Sequence, residues 1–175
     1  VSNGLISDDK SNLQSLSKRD VEVNRQYFLL VRLIRSTLVD KRLANAFNLE
    51  NIDVLDYRVA ANILENAGDS IVELSNSIYN TSLSKEYSKK IYNVVSDFNK
   101  LAAKSIDAFT KSDRLLAIEA ISLHKQYEEK LSLLRNTLDT KKQIPIDFLD
   151  IVYMFERIAQ SWADVADLVQ PIYNK

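Results

Sequence analysis

The chain has 175 residues, 46% of them apolar and 27% charged, so it can bury one ordinary hydrophobic core or two small ones. Its 23 basic and 24 acidic residues leave a net charge of −1, which provides no overall field to attract nucleic acid or anionic lipid. Two glycines, two prolines and no cysteine argue against an all-β fold and exclude disulfides, thiolate metal sites and a cysteine nucleophile.

The first residues are polar and irregular, and 1–17 predict an N-terminal arm with at most a short helix. Ser17 and Asp20 have the spacing of a helix start. Apolar residues then recur at helical spacing, which predicts a first helix over about 18–44. Its densest apolar run, 28–34, contains a charged residue and is far shorter than the ~20 residues of a membrane span, so we expect no membrane crossing.

Four further helices follow at similar lengths. Apolar stripes predict the second between the Asn-rich break at 48–51 and the polar residues 80–82, and the third over 84–111. Ser112 and Asp113 can cap a fourth. Pro145 suits the first turn of a fifth, which Pro171 ends. Five long helices with short connections predict an all-α antiparallel bundle.

The chain also contains an internal repeat. A shift of 100 residues aligns the first helix with the fourth without gaps, and a shift of 91 aligns the second with the fifth. The first shift matches Gln26 with Gln126, Tyr27 with Tyr127, Leu33 with Leu133, Arg35 with Arg135, Thr37 with Thr137, Leu38 with Leu138 and Lys41 with Lys141. The second matches Asp56 with Asp147, Tyr57 with Phe148, Leu64 with Phe155, Glu65 with Glu156, Ser70 with Ser161 and Glu73 with Asp164. Two related helix pairs are therefore present.

The repeat predicts two tandem antiparallel three-helix bundles, divided into an arm (1–17), a first repeat (18–82) and a second repeat (83–175). The first bundle lacks its leading helix in this chain. An open apolar groove costs roughly 25 cal/mol per Å² of apolar surface. We therefore expect residues 1–16, a preceding segment or a second copy of the chain to cover it, and a bare groove in a monomer would contradict this.

Since the chain starts with Val1 and has no signal-peptide pattern, we also expect it to be a fragment or processed product.

Two acids one helical turn apart, Glu65 and Asp69, could both reach a cation. The spacing alone is weak because it occurs on many solvated helices. Gly68 lies between them and is typical of a close helix approach. His124 is the only histidine, and it lies on or beside the apolar stripe of its helix. We therefore favour a role as a core residue over a role as a metal ligand or phosphoacceptor.

Residues 58–74, RVAANILENAGDSIVEL, resemble the signature helix of the PhoU family, and residues 155–160, FERIAQ, resemble the same signature in the second repeat. Residues 20–32, DVEVNRQYFLLVR, are similar to the preceding helix of archaeal PhoU-like proteins. The resemblance extends over about 18–172. It implies two tandem three-helix bundles, no catalytic activity and a cytoplasmic regulator of phosphate uptake and phosphate signalling that contacts an ABC phosphate transporter or a sensor kinase.

Some PhoU proteins bind iron or zinc clusters through such carboxylates, which makes Glu65, Asp69 and Glu156 candidate metal ligands here. However, Gln160 replaces the second acid of the later motif, and Asn24 stands where relatives often have Asp. Neutral amides weaken cation binding, so we expect no metal or one weakly occupied site near Glu65 and Asp69. Many archaeal relatives also have a DNA-binding domain upstream of this region.

The sequence is compatible with two functions. The first is a non-enzymatic regulator that acts by protein–protein contacts, with a homodimer as one arrangement. The alternative is a histidine phosphotransfer module that uses His124, which requires an exposed imidazole. The first helix is locally basic but has no nucleic-acid-binding motif, so we expect no direct nucleic-acid binding by this segment. A metal-dependent hydrolase lacks a visible base.

Overall fold

A computed structural model of the chain describes residues 1–7, 10–96, 98–136 and 144–169. Helices account for most of these residues and no strand occurs among them, which confirms the predicted all-α class. After a 3-10 helix at Ser2–Leu5, the α-helices are α1 (Ser11–Val39), α2 (Lys41–Ala46), α3 (Asn51–Asn80), α4 (Lys85–Val95), α5 (Phe98–Lys111), α6 (Arg114–Asn136) and α7 (Ile146–Asp167).

The first predicted helix differs from the structure at both ends. It starts at Ser11 and not near Ser17, because Leu13 is buried in the main core together with Leu5. Its end comes at Val39, where Asp40 adopts an extended backbone and its side chain accepts a hydrogen bond from the backbone N–H of Arg42 at 2.9 Å. Asp40 thereby caps the separate helix α2.

The predicted third helix, 84–111, is divided into α4 and α5. Ile91 and Val95 of α4 and Phe98 and Leu101 of α5 are all buried. Their spacing remains helical across the break, so the apolar pattern gives no sign of it. The fourth predicted start is confirmed, since the Asp113 carboxylate accepts hydrogen bonds from two backbone N–H groups at the beginning of α6.

The predicted fifth helix begins as expected, with Pro145 directly before Ile146. The helix ends at Asp167, and the predicted stop at Pro171 lies outside the described residues. Three matches of the repeat, Thr137, Leu138 and Lys141, also lie outside them.

Helices α4–α7 form a bundle, and α3 and then α1 pack in sequence against one side of it. Helices α5, α6 and α7 pack against one another, and α4 extends this bundle against α6 and α7. Helix α3 packs against α7, and α1 packs against α3 and the short α2. The largest buried side chains, including Tyr127, Phe148 and Phe155, lie in the α5–α7 bundle. Within the described residues, no helix combines the length and apolar composition needed to cross a bilayer.

Equivalent positions of the two helix pairs are buried, which supports both shifts of the repeat. In the first pair Ile34 is buried and Val31 half-buried, and their equivalents Leu134 and Leu131 are both buried. In the second pair the buried equivalents are Ala60 with Ile151, Ala61 with Val152, Ala67 with Ile158, Leu74 with Val165 and Ser75 with Ala166.

The α1–α3 groove is an apolar depression of about 240 Å³ beside the first helix pair. It is lined by Leu30, Leu33, Ile34, Thr37, Phe47, Leu49, Val54 and Tyr57. Residues 1–7 pack elsewhere, against α4 and the end of α3 that contains Ile78. The expectation that residues 1–16 cover the groove is therefore wrong for their described part.

Candidate interaction groove and acidic cluster

The α1–α3 groove exists because α1 has more apolar surface than α3 can cover. Tyr27, Val31 and Ile34 recur one helical turn apart and are the less exposed apolar residues of this part of α1. Tyr27 contacts Arg58 of α3, and Ile34 lines the groove together with Val54 and Tyr57 of α3. Leu30 and Leu33 lie beside this stripe and stay exposed, Leu33 to 42%. Other exposed apolar residues of α1 are Val21, Val23, Phe28, Leu29, Leu38 and Val39. Of the exposed apolar residues of α1, Leu30 and Leu33 line the groove, and an apolar groove marks an interaction site more often than a lone exposed residue does.

The second helix pair shows what is missing from the first. Phe148 of α7 is completely buried, and the ring of Tyr87 from α4 lies 5.1 Å from its ring. The equivalent residue of α3, Tyr57, is 40% exposed. Its ring is in edge contact with Phe109 at the end of α5, at 5.5 Å. The α4–α5 segment therefore covers α7 at this position but reaches α3 only at one edge.

A second pair of equivalent positions gives the same result. Phe98 of α5 lies between α6 and α7, with ring centroids 5.7 Å from Tyr127 and 5.5 Å from Phe155. The equivalents in the first pair are Tyr27 and Leu64. The ring of Tyr27 instead contacts its neighbour Phe28 at 5.3 Å and the Arg58 guanidinium at 5.7 Å. Within the described part of the chain, no aromatic residue takes the position of Phe98 in the first pair.

The acidic cluster lies between α1 and α3 and consists of Asp20, Glu65 and Asp69. Partial burial raises the pKa of Glu65, and the neighbouring carboxylates of Asp69 and then Asp20 raise it further. Asn24 donates a hydrogen bond to Asp20 at 3.2 Å. Sequence reasoning identified Asn24 but missed Asp20, although the spacing of four residues places both on one face of the helix.

Glu156, the third predicted metal ligand, lies on a different interface. Its carboxylate is 2.8 Å from the Arg135 guanidinium of α6. Gln160 donates a hydrogen bond to Asp164 at 2.7 Å, along its own helix. Glu156 therefore lies at the α6–α7 interface, whereas Glu65 and Asp69 lie near Asp20 of α1. The structure does not bring the three predicted ligands together, and no group of three or more His, Asp or Glu side chains in the described ranges is placed to hold a metal ion.

His124 is buried, with 6% of its surface exposed, as the apolar stripe predicts. Its Nδ1 atom lies 3.9 Å from a carboxylate oxygen of Glu128, beyond hydrogen-bond distance. A histidine that receives a phosphoryl group must reach the donor, so burial of this imidazole weighs against the phosphotransfer alternative.

Comparison of the chain with models of protein families, with curated proteins and with solved structures found no match.

Proposed function

We propose that the chain is a PhoU-like, non-enzymatic regulator of phosphate uptake and phosphate signalling in the cytoplasm, which acts by binding other proteins. The observation that supports it is the difference between Tyr57, which is open, and its equivalent Phe148, which is enclosed. In this proposal the chain forms two tandem three-helix bundles. The α1–α3 groove of the first receives a helix that supplies what α4–α5 supplies to the second.

Charged residues beside the groove fit a protein partner. Arg32 and Arg35 of α1 are next in sequence to the lining residues Leu33 and Ile34. Asp53 and Asp56 of α3 are next in sequence to Val54 and Tyr57, which also line the groove. An amphipathic helix with acidic residues along one flank and basic residues along the other would match both walls. A helix of an ABC phosphate transporter, of a sensor kinase or of a second copy of the chain could meet this requirement.

The test is affinity capture from phosphate-starved and phosphate-replete cells, with identification of the captured proteins by mass spectrometry. The informative variant is Leu33→Asp, which places a charge in the groove. Its matched control is Leu133→Asp, since Leu133 is the repeat equivalent and is 62% exposed on α6. We expect transporter or kinase subunits with the wild type and Leu133→Asp but not with Leu33→Asp. Equal capture by Leu33→Asp, or no such subunit with any of the three chains, would contradict the proposal.

We further propose that any metal bound near Glu65 and Asp69 is held weakly, because no group of three or more such side chains in the described ranges is placed to hold a metal ion and Asn24 supplies a neutral amide. Metal analysis of protein purified without chelator tests this. We expect substoichiometric iron or zinc that dialysis removes, and tightly held stoichiometric metal would refute the weak site.

A further inference from the structure

The outer face of α1 has a set of basic and apolar side chains that the α1–α3 groove does not use. We call this set the basic stripe. Its members follow one another at intervals of three or four residues and are all exposed: Lys18, Val21, Arg25, Phe28, Arg32, Arg35 and Val39. This spacing places them on one face of the helix, over a length of about 30 Å. None of them lines the groove.

The basic stripe contains no acidic residue. The acids of α1 are Asp20 and Glu22, and both lie off the stripe. Asp20 is half-buried near Glu65 of α3, and Glu22 lies 4.0 Å from the Arg25 guanidinium. The other three basic residues of the stripe form no ion pair with a described residue. The stripe is therefore a region of positive charge that this part of the chain leaves mostly uncompensated.

The repeat equivalent of this face on α6 has a different composition. Phe28, which is 60% exposed, corresponds to the acid Glu128, and Arg32 corresponds to Ser132. Helix α6 thus has a carboxylate at the middle of a face where α1 has an exposed aromatic ring. An acid is the usual choice for a position in water, so the apolar residue at this position of α1 indicates a contact that α6 does not make.

Charge and apolar surface together favour a lipid surface as the partner of the stripe. In a symmetric dimer the stripe would face its own copy, and like charges across an interface repel each other. A nucleic acid would place its phosphate groups against Phe28. Helix α1 packs mainly against α3 and α2, so its outer face lies at the edge of the molecule. A helix that lies on an anionic membrane combines basic residues with exposed aromatic and aliphatic ones in this way.

We propose that α1 binds an anionic lipid surface through the basic stripe. The four basic groups contact lipid phosphates, and the apolar side chains, of which Phe28 is the largest, enter the boundary between the headgroups and the acyl chains. This inference goes beyond the proposed function, because the basic stripe and the groove share no residue.

The probes are vesicles of phosphatidylcholine alone and vesicles in which one-third of the lipid is phosphatidylglycerol, and cosedimentation measures binding of the whole chain. We expect saturable binding to the anionic vesicles and at least tenfold weaker binding to the neutral ones. Affinity should fall as salt is added, because the charges involved are exposed to solvent. The vesicles contain no protein, so this result does not depend on whether a transporter or kinase subunit is captured.

The variant Phe28→Glu tests the apolar contact. It introduces the residue of the equivalent α6 position and should weaken binding to anionic vesicles at least tenfold. Its matched control is Leu133→Glu, since Leu133 is 62% exposed on α6 and lies outside the stripe. The control should bind like the wild type.

The double variant Lys18→Gln/Arg25→Gln tests the charge and should also weaken binding at least tenfold. Its matched control, Lys89→Gln/Lys125→Gln, removes the same charge from α4 and α6 and should bind like the wild type. Circular dichroism verifies that all variants stay helical. Equal affinity for neutral and anionic vesicles, equal affinity of either stripe variant and the wild type, or no saturable binding would overturn the proposal. Tighter binding to duplex DNA than to the vesicles would also overturn it.

Discussion

The two helix pairs of this chain share several buried positions and differ in what covers them. In α6 and α7 the buried face is enclosed by α4 and α5, so that Phe148 has no exposed surface. In α1 and α3 the equivalent face has no comparable helix, and Tyr57 and Leu33 stay accessible. The comparison shows that equivalent helix pairs can be enclosed in one part of the molecule and open in another. The enclosed pair stabilises the fold, and we infer that the open pair is available to a partner.

The largest expected effect is a difference in the free energy of unfolding between alanine variants at two equivalent positions, one in each helix pair. Phe148→Ala should lower the free energy of unfolding by about 3–5 kcal/mol, because it empties a fully enclosed site. Tyr57→Ala should lower it by at most about 2 kcal/mol, because part of the ring is already in water. Urea denaturation of both variants measures the difference. Equal losses would mean that the two positions are equally enclosed in solution.

A smaller effect on stability is expected at Lys10, which contacts the C-terminal end of α3. Lys10→Gln removes the ammonium that holds the carbonyls of Ile78 and Thr81, and we expect a loss of about 1 kcal/mol in unfolding free energy. Lys18→Gln removes an equal charge from an exposed position of α1 and should change stability little. Thermal unfolding of the two variants provides the comparison, and matching melting temperatures would show that Lys10 does not anchor α3.

A substitution at Gly68 is expected to stabilise the first helix pair. Its repeat equivalent is Ala159, which is buried in α7. A Cβ atom on Gly68 would meet only the Val23 side chain, at 3.7 Å, which is an ordinary contact. The expected close approach of helices at this glycine is therefore wrong. Gly68→Ala should raise the unfolding free energy by about 0.5–1 kcal/mol through helix propensity, and a decrease would show that α1 lies nearer to α3 than described.

The smallest expected effect is electrostatic. Because the pKa of Glu65 is raised in the folded protein, the folded state binds a proton more readily than the unfolded state does. Its ionised form therefore destabilises the fold above the folded pKa, and protonation relieves this as the pH falls through that value. Glu65→Gln should add about 0.2–0.5 kcal/mol at neutral pH, and the gain should disappear in acid.

A pH series of urea midpoints tests this electrostatic effect, with Glu129→Gln on the exposed face of α6 as a control for loss of one charge. A gain in Glu65→Gln that stays constant down to pH 3, or a loss at neutral pH, would contradict the assigned repulsion between Glu65, Asp69 and Asp20.

Local pattern was sufficient to predict the all-α class, the approximate positions of most helices and the inward position of His124. Each of these depends on periodicity within one helix, which the sequence shows directly. The start of α1 at Ser11 accompanies burial of Leu13 in a core formed with distant residues such as Leu74 and Ile78, which local spacing does not show. The break between α4 and α5 leaves the apolar spacing intact, so no local signal reveals it.

The candidate site was only partly predictable for the same reason. Glu65 and Asp69 are recognisable from their spacing, but the addition of Asp20 depends on how α1 is aligned against α3. Glu156 was grouped with them through the resemblance to the PhoU family. Its pairing with Arg135 across the α6–α7 interface could not be derived from the motif.

The most direct measurement is thiol labelling at equivalent positions of the two pairs, since the chain has no cysteine of its own. Leu33→Cys places a thiol in the α1–α3 groove, and Leu133→Cys places one on α6 away from it. Maleimide labelling is followed for each variant, alone and with the captured transporter or kinase subunit. We predict that the partner slows labelling of Leu33→Cys at least tenfold and leaves Leu133→Cys unchanged. Protection of Leu133→Cys alone, or no protection of Leu33→Cys, would show that the partner binds elsewhere.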